Sequence, residues 1–203
     1  MVNYQLHPLQ VNPQTGEPFL RLKSHEHIII TPPRLSDAPF LPPILNDPLV
    51  HKWLTHPPYP YLPEHAESWL TIITTASNAV LRELEQAKDT RSQRTVDECP
   101  VRFLREVKED GTDIFLGDIA FIRCPWMELA GTDVNWEQKD VLTEENSRLE
   151  RGDPKIVWSV GGVCSWLTLF HDHNPYINIS FRLSCPQSSW SGYYVRCVCD
   201  IIT

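Results

Sequence analysis

IIITPPRLSDAPFLPPILNDPLVHKWL, residues 28–54, decides how the rest of the chain is read. Ile28, Ile29 and Ile30 form an unbroken β-branched run, which predicts a strand buried on both faces. Pro32 and Pro33 end it, because proline has no N–H to give a ladder. Ser36 and Asp37 offer helix N-cap chemistry before a short helix over residues 38–46, whose regularity Pro42 and Pro43 limit. Asp47-Pro48 opens a second helical turn that runs through Trp53, with proline at its first position.

Upstream, residues 5–11 and 19–23 read as two short strands around the turn Asn12-Pro13-Gln14-Thr15-Gly16. Downstream, residues 63–88 are the best helix in the chain. Pro63 stands at its start, and Glu64 and Glu67 lie in its first turn, where the helix dipole favours acids. Trp69, Leu70, Ile73, Ala76, Val80, Leu81 and Leu84 follow at helical spacing. Residues 89–98 are polar and read as a loop. Residues 101–107 and 114–122 are two strands joined at Glu109-Asp110-Gly111, a hairpin signal. Residues 126–154 are charged, with a short helix expected over 144–150, and residues 156–160 are one more strand. Strands and helices mix without strict βαβ alternation, so the fold class is α/β with a mixed sheet and helices packed on it.

The chain has 203 residues, enough for one domain with a substantial core. Its net charge of −8 argues against binding nucleic acid through phosphate contacts. No apolar run reaches membrane-span length, and the first ten residues lack a signal peptide's basic and apolar regions. These features point to a cytoplasmic protein without a membrane partner. Its six cysteines then read as free thiols.

The composition changes near residue 156. Of 44 charged side chains, only Asp172, Arg182, Arg196 and Asp200 lie beyond it. The same stretch holds four of the six cysteines and seven serines. A folded domain usually keeps its charged surface to the end. The expected division is therefore a domain over residues 1–162 and an atypical tail over 163–203.

Four segments, in order, carry a resemblance. Residues 28–54 match an opening strand followed by TPR-x-SDA and a helix ending in I-x-NDP-x-V-x-x-W, with one extra proline before Arg34. Residues 57–70, PPYPYLPEHAESWL, match P-Y-P-Y-x-x-E-D-A-x-x-W-L, with His65 in place of Asp. Residues 115–122, FLGDIAFI, match IGxIGL, and residues 155–161, KIVWSVG, match x-x-W-x-IGY. Together, over residues 18–162, they resemble the GNAT N-acetyltransferases of the ribosomal-protein (RimJ/RimL) type, fungal in character.

The resemblance implies a three-layer αβα sandwich, incomplete at its C-terminal part. It implies transfer of acetyl from acetyl-CoA, as co-substrate, to a primary amine: a protein N-terminus or a small molecule. No covalent intermediate or metal is needed. Holding the two reactants in line can supply about 7–11 kcal/mol of the barrier reduction. A backbone N–H on the cofactor strand would stabilise the oxyanion. On this reading Trp158, Ser159, Val160 and Gly161 bind the cofactor through that strand, and Trp53, Tyr59 and Tyr61 flank the amine. From the residues alone, these three read first as packing aromatics. No residue is assigned as catalytic base.

The family seats the CoA pyrophosphate on a turn reading Gln/Arg-x-x-Gly-x-Gly/Ala just after the cofactor strand, where free N–H groups and a helix dipole hold it. No such turn follows Gly162, and the next glycine is Gly192. Shifting the codons of residues 186–197 by one nucleotide allows PSHHGQGIMSDA, which resembles the missing turn. Val163-Cys164 can be encoded by GTATGT, a common fungal intron donor. These two observations point to a retained intron followed by shifted coding sequence. In the same tail, His171-Asp172-His173 and Cys197-Val198-Cys199 lack a second half at zinc spacing. Residues 176–183 have strand-like composition.

Three functions compete: an acetyltransferase, a GNAT-like domain that binds or is non-functional because the turn is lost, and an unrelated α/β binding domain. The pyrophosphate turn discriminates the first two.

Overall fold

The computed structural model describes residues 3–52, 54, 57–126 and 136–164. Over these residues the chain is a mixture of helices and one antiparallel sheet. Its strands are β1 (Gln10–Val11), β2 (Pro18–Arg21), β3 (Ile28–Thr31), β4 (Phe103–Val107), β5 (Asp113–Arg123) and β6 (Trp158–Cys164). They lie side by side in chain order, and every junction is antiparallel. The mixed sheet expected from sequence is thus antiparallel wherever it is described. β6 extends two residues past the expected break at Gly162, and the tail from residue 165 onward lies outside the described residues.

Every residue of β3 is buried, as its β-branched run requires. Ile28 and Ile30 join a core cluster with Leu22, Val101, Leu104, Leu116 and Ile119. Alternation sends Thr31 to the opposite face, where Arg105 donates to its hydroxyl. That face carries the second cluster: Phe103 and Phe115 packed against Leu41, Ile44, Leu45, Tyr61, Ala66, Leu70 and Ile73. Leu116 is the extra residue of a β-bulge, since Arg105 pairs with Phe115 and Leu104 with Gly117.

The helical layer is α1 (Leu41–Leu45), α2 (Pro48–His51) and α3 (Pro63–Gln86). The expected helix over 38–46 begins instead as a 3-10 turn, Leu35–Phe40, and becomes α-helical only from Leu41. Pro39, Pro42 and Pro43 remove the N–H groups a longer helix would need. Asp47 caps α2 by accepting from the Leu49 N–H at 2.8 Å. At the start of α3, His65 Nδ1 accepts the Leu62 N–H at 3.0 Å, the work an Asp would do there. α3 buries Ala66, Leu70, Ile73, Ser77 and Leu84, one stripe at helical spacing. Ser77 is tolerated in that stripe because its hydroxyl donates to the Pro100 carbonyl at 2.7 Å. The fourth helix, α4 (Trp136–Arg148), starts eight residues before the short helix expected at 144–150.

No described helix is long and apolar enough to cross a membrane. Cys99 and Cys124 carry thiols rather than a disulfide, and the Cys99 S–H donates to the Val101 carbonyl.

Candidate functional site

β6 carries the four expected cofactor residues. Its register sets Trp158 opposite Arg123, Ser159 opposite Ile122, Val160 opposite Phe121 and Gly161 opposite Ala120. Period-two alternation divides them between faces. Val160 packs on the cluster around Leu104 and Leu116. Val163 packs on the helix-side cluster around Leu41 and Phe103, so Ser159 and Gly161 share that side. Gly161 is exposed, with nothing within 4 Å of where a Cβ would stand. Gly162 is the reverse case. A Cβ there would lie 2.7 Å from the Asp118 carbonyl oxygen, so the approach of β6 to β5 requires glycine. β6 is the last strand of the described sheet, and among the described residues its outer edge has no strand beside it.

The start of β6 is held from outside the sheet. The Asn146 side chain of α4 donates to the Val157 carbonyl and accepts from the Val157 N–H, each at 2.9 Å. Both backbone groups just before β6 are therefore satisfied by one buried amide. Arg123, at the end of β5, donates to the Asn146 carbonyl and to Asp97.

Behind β6, on the helix side, stands a pair the sequence reading missed. Asp118 faces Val163 across the ladder and accepts two hydrogen bonds from Arg102, at 2.7 and 2.8 Å. The Arg102 guanidinium in turn lies 5.0 Å from the Trp69 ring centre. Burial pushes the Asp118 carboxyl above the ordinary aspartate value, and Arg102 opposes that rise. The signal was present: Asp118 is the single acid inside the apolar run FLGDIAFI. With both oxygens tied to one guanidinium, its role here is to fix the strand rather than to move a proton.

Of the expected amine-side residues, Tyr61 and Tyr59 differ in burial. Tyr61 is buried in the core cluster, and burial raises its phenol above the usual value. The Asn46 amide grips its backbone at both N–H (2.7 Å) and carbonyl (2.8 Å). Tyr59 is 60% exposed and stacks on His51 with ring centres 3.9 Å apart. Trp53 lies outside the described residues. Among the described residues, no group of three or more His, Cys, Asp or Glu side chains could hold a metal. The histidine and cysteine motifs of the tail also lie outside them.

No family model matches the chain, and comparison with curated proteins and with solved structures finds no match either.

Proposed function

We propose that residues 1–162 form a GNAT-type N-acetyltransferase domain, whose chemistry is direct attack of a primary amine on the acetyl-CoA thioester in a ternary complex. One observation carries the reading. The segments that bear the motifs take adjacent places: the strand of residues 28–31, then the hairpin of β4 and β5, then β6 with an outer edge clear of other described strands. That is the order a cofactor strand at the end of an antiparallel run needs. On this reading, Trp158 to Gly161 present backbone groups to the thioester arm, and exposed Gly161 leaves room for it. The family's parallel partner strand would fall after residue 164, as would the third layer of the sandwich. Acetyl-CoA is the co-substrate, and neither nucleic acid nor membrane is a partner.

A second reading is favoured by the sequence after Gly162, which has no Gln/Arg-x-x-Gly-x-Gly/Ala. Without free N–H groups at a helix start, the pyrophosphate has no seat. This polypeptide would then be a catalytically silent GNAT-like domain.

Thermal unfolding with and without acetyl-CoA separates the two. A ligand at about 100 times its Kd stabilises by roughly 2.7 kcal/mol. A rise of that size supports the enzyme reading. An unchanged midpoint at millimolar acetyl-CoA removes it for this chain and leaves the silent domain.

A further inference from the structure

The segment before β1 is tied to a distant loop by one buried side chain. Gln5 is 4% exposed although it lies near the chain start. Its amide nitrogen donates to the Thr90 hydroxyl at 2.9 Å, the Ser92 carbonyl at 3.0 Å and the Thr90 carbonyl at 3.3 Å. Its amide oxygen accepts the Arg94 N–H at 2.8 Å. Two neighbours repeat the tie. Asn3 donates to the Leu84 carbonyl and to Glu85 at the end of α3, and Gln93 donates to the His7 carbonyl.

The loop that Gln5 holds also carries Asp97. One Asp97 oxygen takes Arg123 at 2.7 Å, and the other takes Arg151 at 3.0 Å. Arg151 reaches on to Glu83 of α3. Arg123 donates to the Asn146 carbonyl, and Asn146 holds both backbone groups of Val157. Two sets of hydrogen bonds, joined by the backbone from Arg94 to Asp97, therefore connect Gln5 to the residue preceding β6.

We propose that Gln5 is the bolt of a conformational latch that sets the seating of β6. With Gln5 in place, residues 90–94 are fixed and Asp97 is held between Arg123 and Arg151. With Gln5 withdrawn, that loop is released, Arg123 loses its fixed acceptor, and Asn146 loosens its grip on Val157. Two features make this a local release rather than unfolding. Leu9 stays packed on the core beyond the segment that would swing. The groups Gln5 leaves behind are only part-buried, so water can replace it. The latch stands independently of the acetyltransferase reading, since β6 must be seated whatever it binds.

Hydrogen exchange on the full chain tests it, comparing wild type with Gln5→Ala and with Gln5→Glu, which keeps the acceptor but loses the donors. The latch predicts exchange faster by on the order of tenfold in residues 89–98 and also at 157–160, with residues 66–77 of α3 unchanged. Faster exchange confined to residues 3–9 and 89–94, or spread evenly through α3, overturns it. Asp97→Asn in the Gln5→Ala background adds little further at 157–160 if the connection runs through Asp97. A full multiplicative effect there overturns that route. Should Gln5→Ala not fold, Gln93→Ala, which loses one exposed bond to His7, gives a milder release with the same two outcomes.

Discussion

Arg105 on β4 places a guanidinium nitrogen 2.6 Å from Asp37 Oδ2, and both side chains are 3% exposed. The pair is the buried end of a chain of charges. Arg105 also bonds Asp113 and the Thr31 hydroxyl, Asp113 takes Arg34, and Arg34 reaches Glu17. Asp37 Oδ2 additionally accepts the Arg34 N–H at 3.0 Å. The 3-10 turn is thereby fastened to β4 and to the turn before β2. Breaking a buried pair by removing one partner costs about 3–5 kcal/mol, because the other charge stays behind. Asp37→Asn should lose that much in urea unfolding. Asp37→Leu combined with Arg105→Met should lose less than Arg105→Met or Asp37→Leu alone. A loss under about 1 kcal/mol for Asp37→Asn would mean water reaches the pair.

This pair also marks what sequence could not reveal. Ser36 and Asp37 read as helix caps because cap chemistry is local, and an Asp before a helix is a common sight. Its partner is 68 residues away, and no local pattern points across that distance. Local signals elsewhere served well. The β-branched run of β3, the Asp47-Pro48 start of α2, the stripe of α3 and the turn ending in Gly111 were all legible before the fold was seen. Gly111 sits at φ 83°, where glycine is favoured. α4 was foreseen only in its second half because it is polar nearly all round, so periodicity gave no start. At the site, the strand expected over residues 156–160 overlaps β6 from Trp158 to Val160. The Arg102–Asp118 brace and the grip of Asn146 were not legible, since each joins segments that meet only in the folded chain.

The buried phenol of Tyr61 gives a pH dependence of known sign. Its folded-state pKa lies above the unfolded value because burial disfavours the phenolate. The native state therefore holds the proton where the unfolded chain has begun to lose it. The associated stability is fully present below about pH 10 and disappears as pH rises through the folded value. Denaturation midpoints should fall more steeply above about pH 10 in wild type than in Tyr61→Phe. Equal slopes would show that Tyr61 ionises as freely in the fold as out of it.

Asn146 is 3% exposed and serves both backbone groups of Val157. Asn146→Ala leaves the Val157 N–H without its partner, an omission worth about 1–3 kcal/mol where water cannot reach it, while the Val157 carbonyl keeps the Cys124 N–H at 2.8 Å. Asn146→Asp keeps the acceptor for the Val157 N–H but sets a carboxylate against the Val157 carbonyl. Both variants should lower the urea midpoint, and both should speed amide exchange at Val157. Unchanged exchange at Val157 in Asn146→Ala would mean that β5 alone positions the start of β6.

The two adjacent glycines of β6 give opposite expectations. At Gly162 an added methyl meets the Asp118 carbonyl oxygen at 2.7 Å and the Ile119 Cα at 3.4 Å, both backbone atoms that cannot rotate away. Such overpacking costs about 1–3 kcal/mol. At Gly161 the same methyl meets nothing within 4 Å. There the substitution narrows the freedom of the unfolded chain, which is worth about 0.4–1 kcal/mol in favour of folding. Gly162→Ala should therefore unfold at lower urea than wild type, and Gly161→Ala at equal or higher urea. The contrast tests more than two side chains. A slip of β6 that carried Gly161 to the place of Gly162 would move the close backbone contact to Gly161, since each step along a strand changes face. The reverse order of stabilities would then follow, and Val160 and Val163 would each lose the core cluster they now pack against.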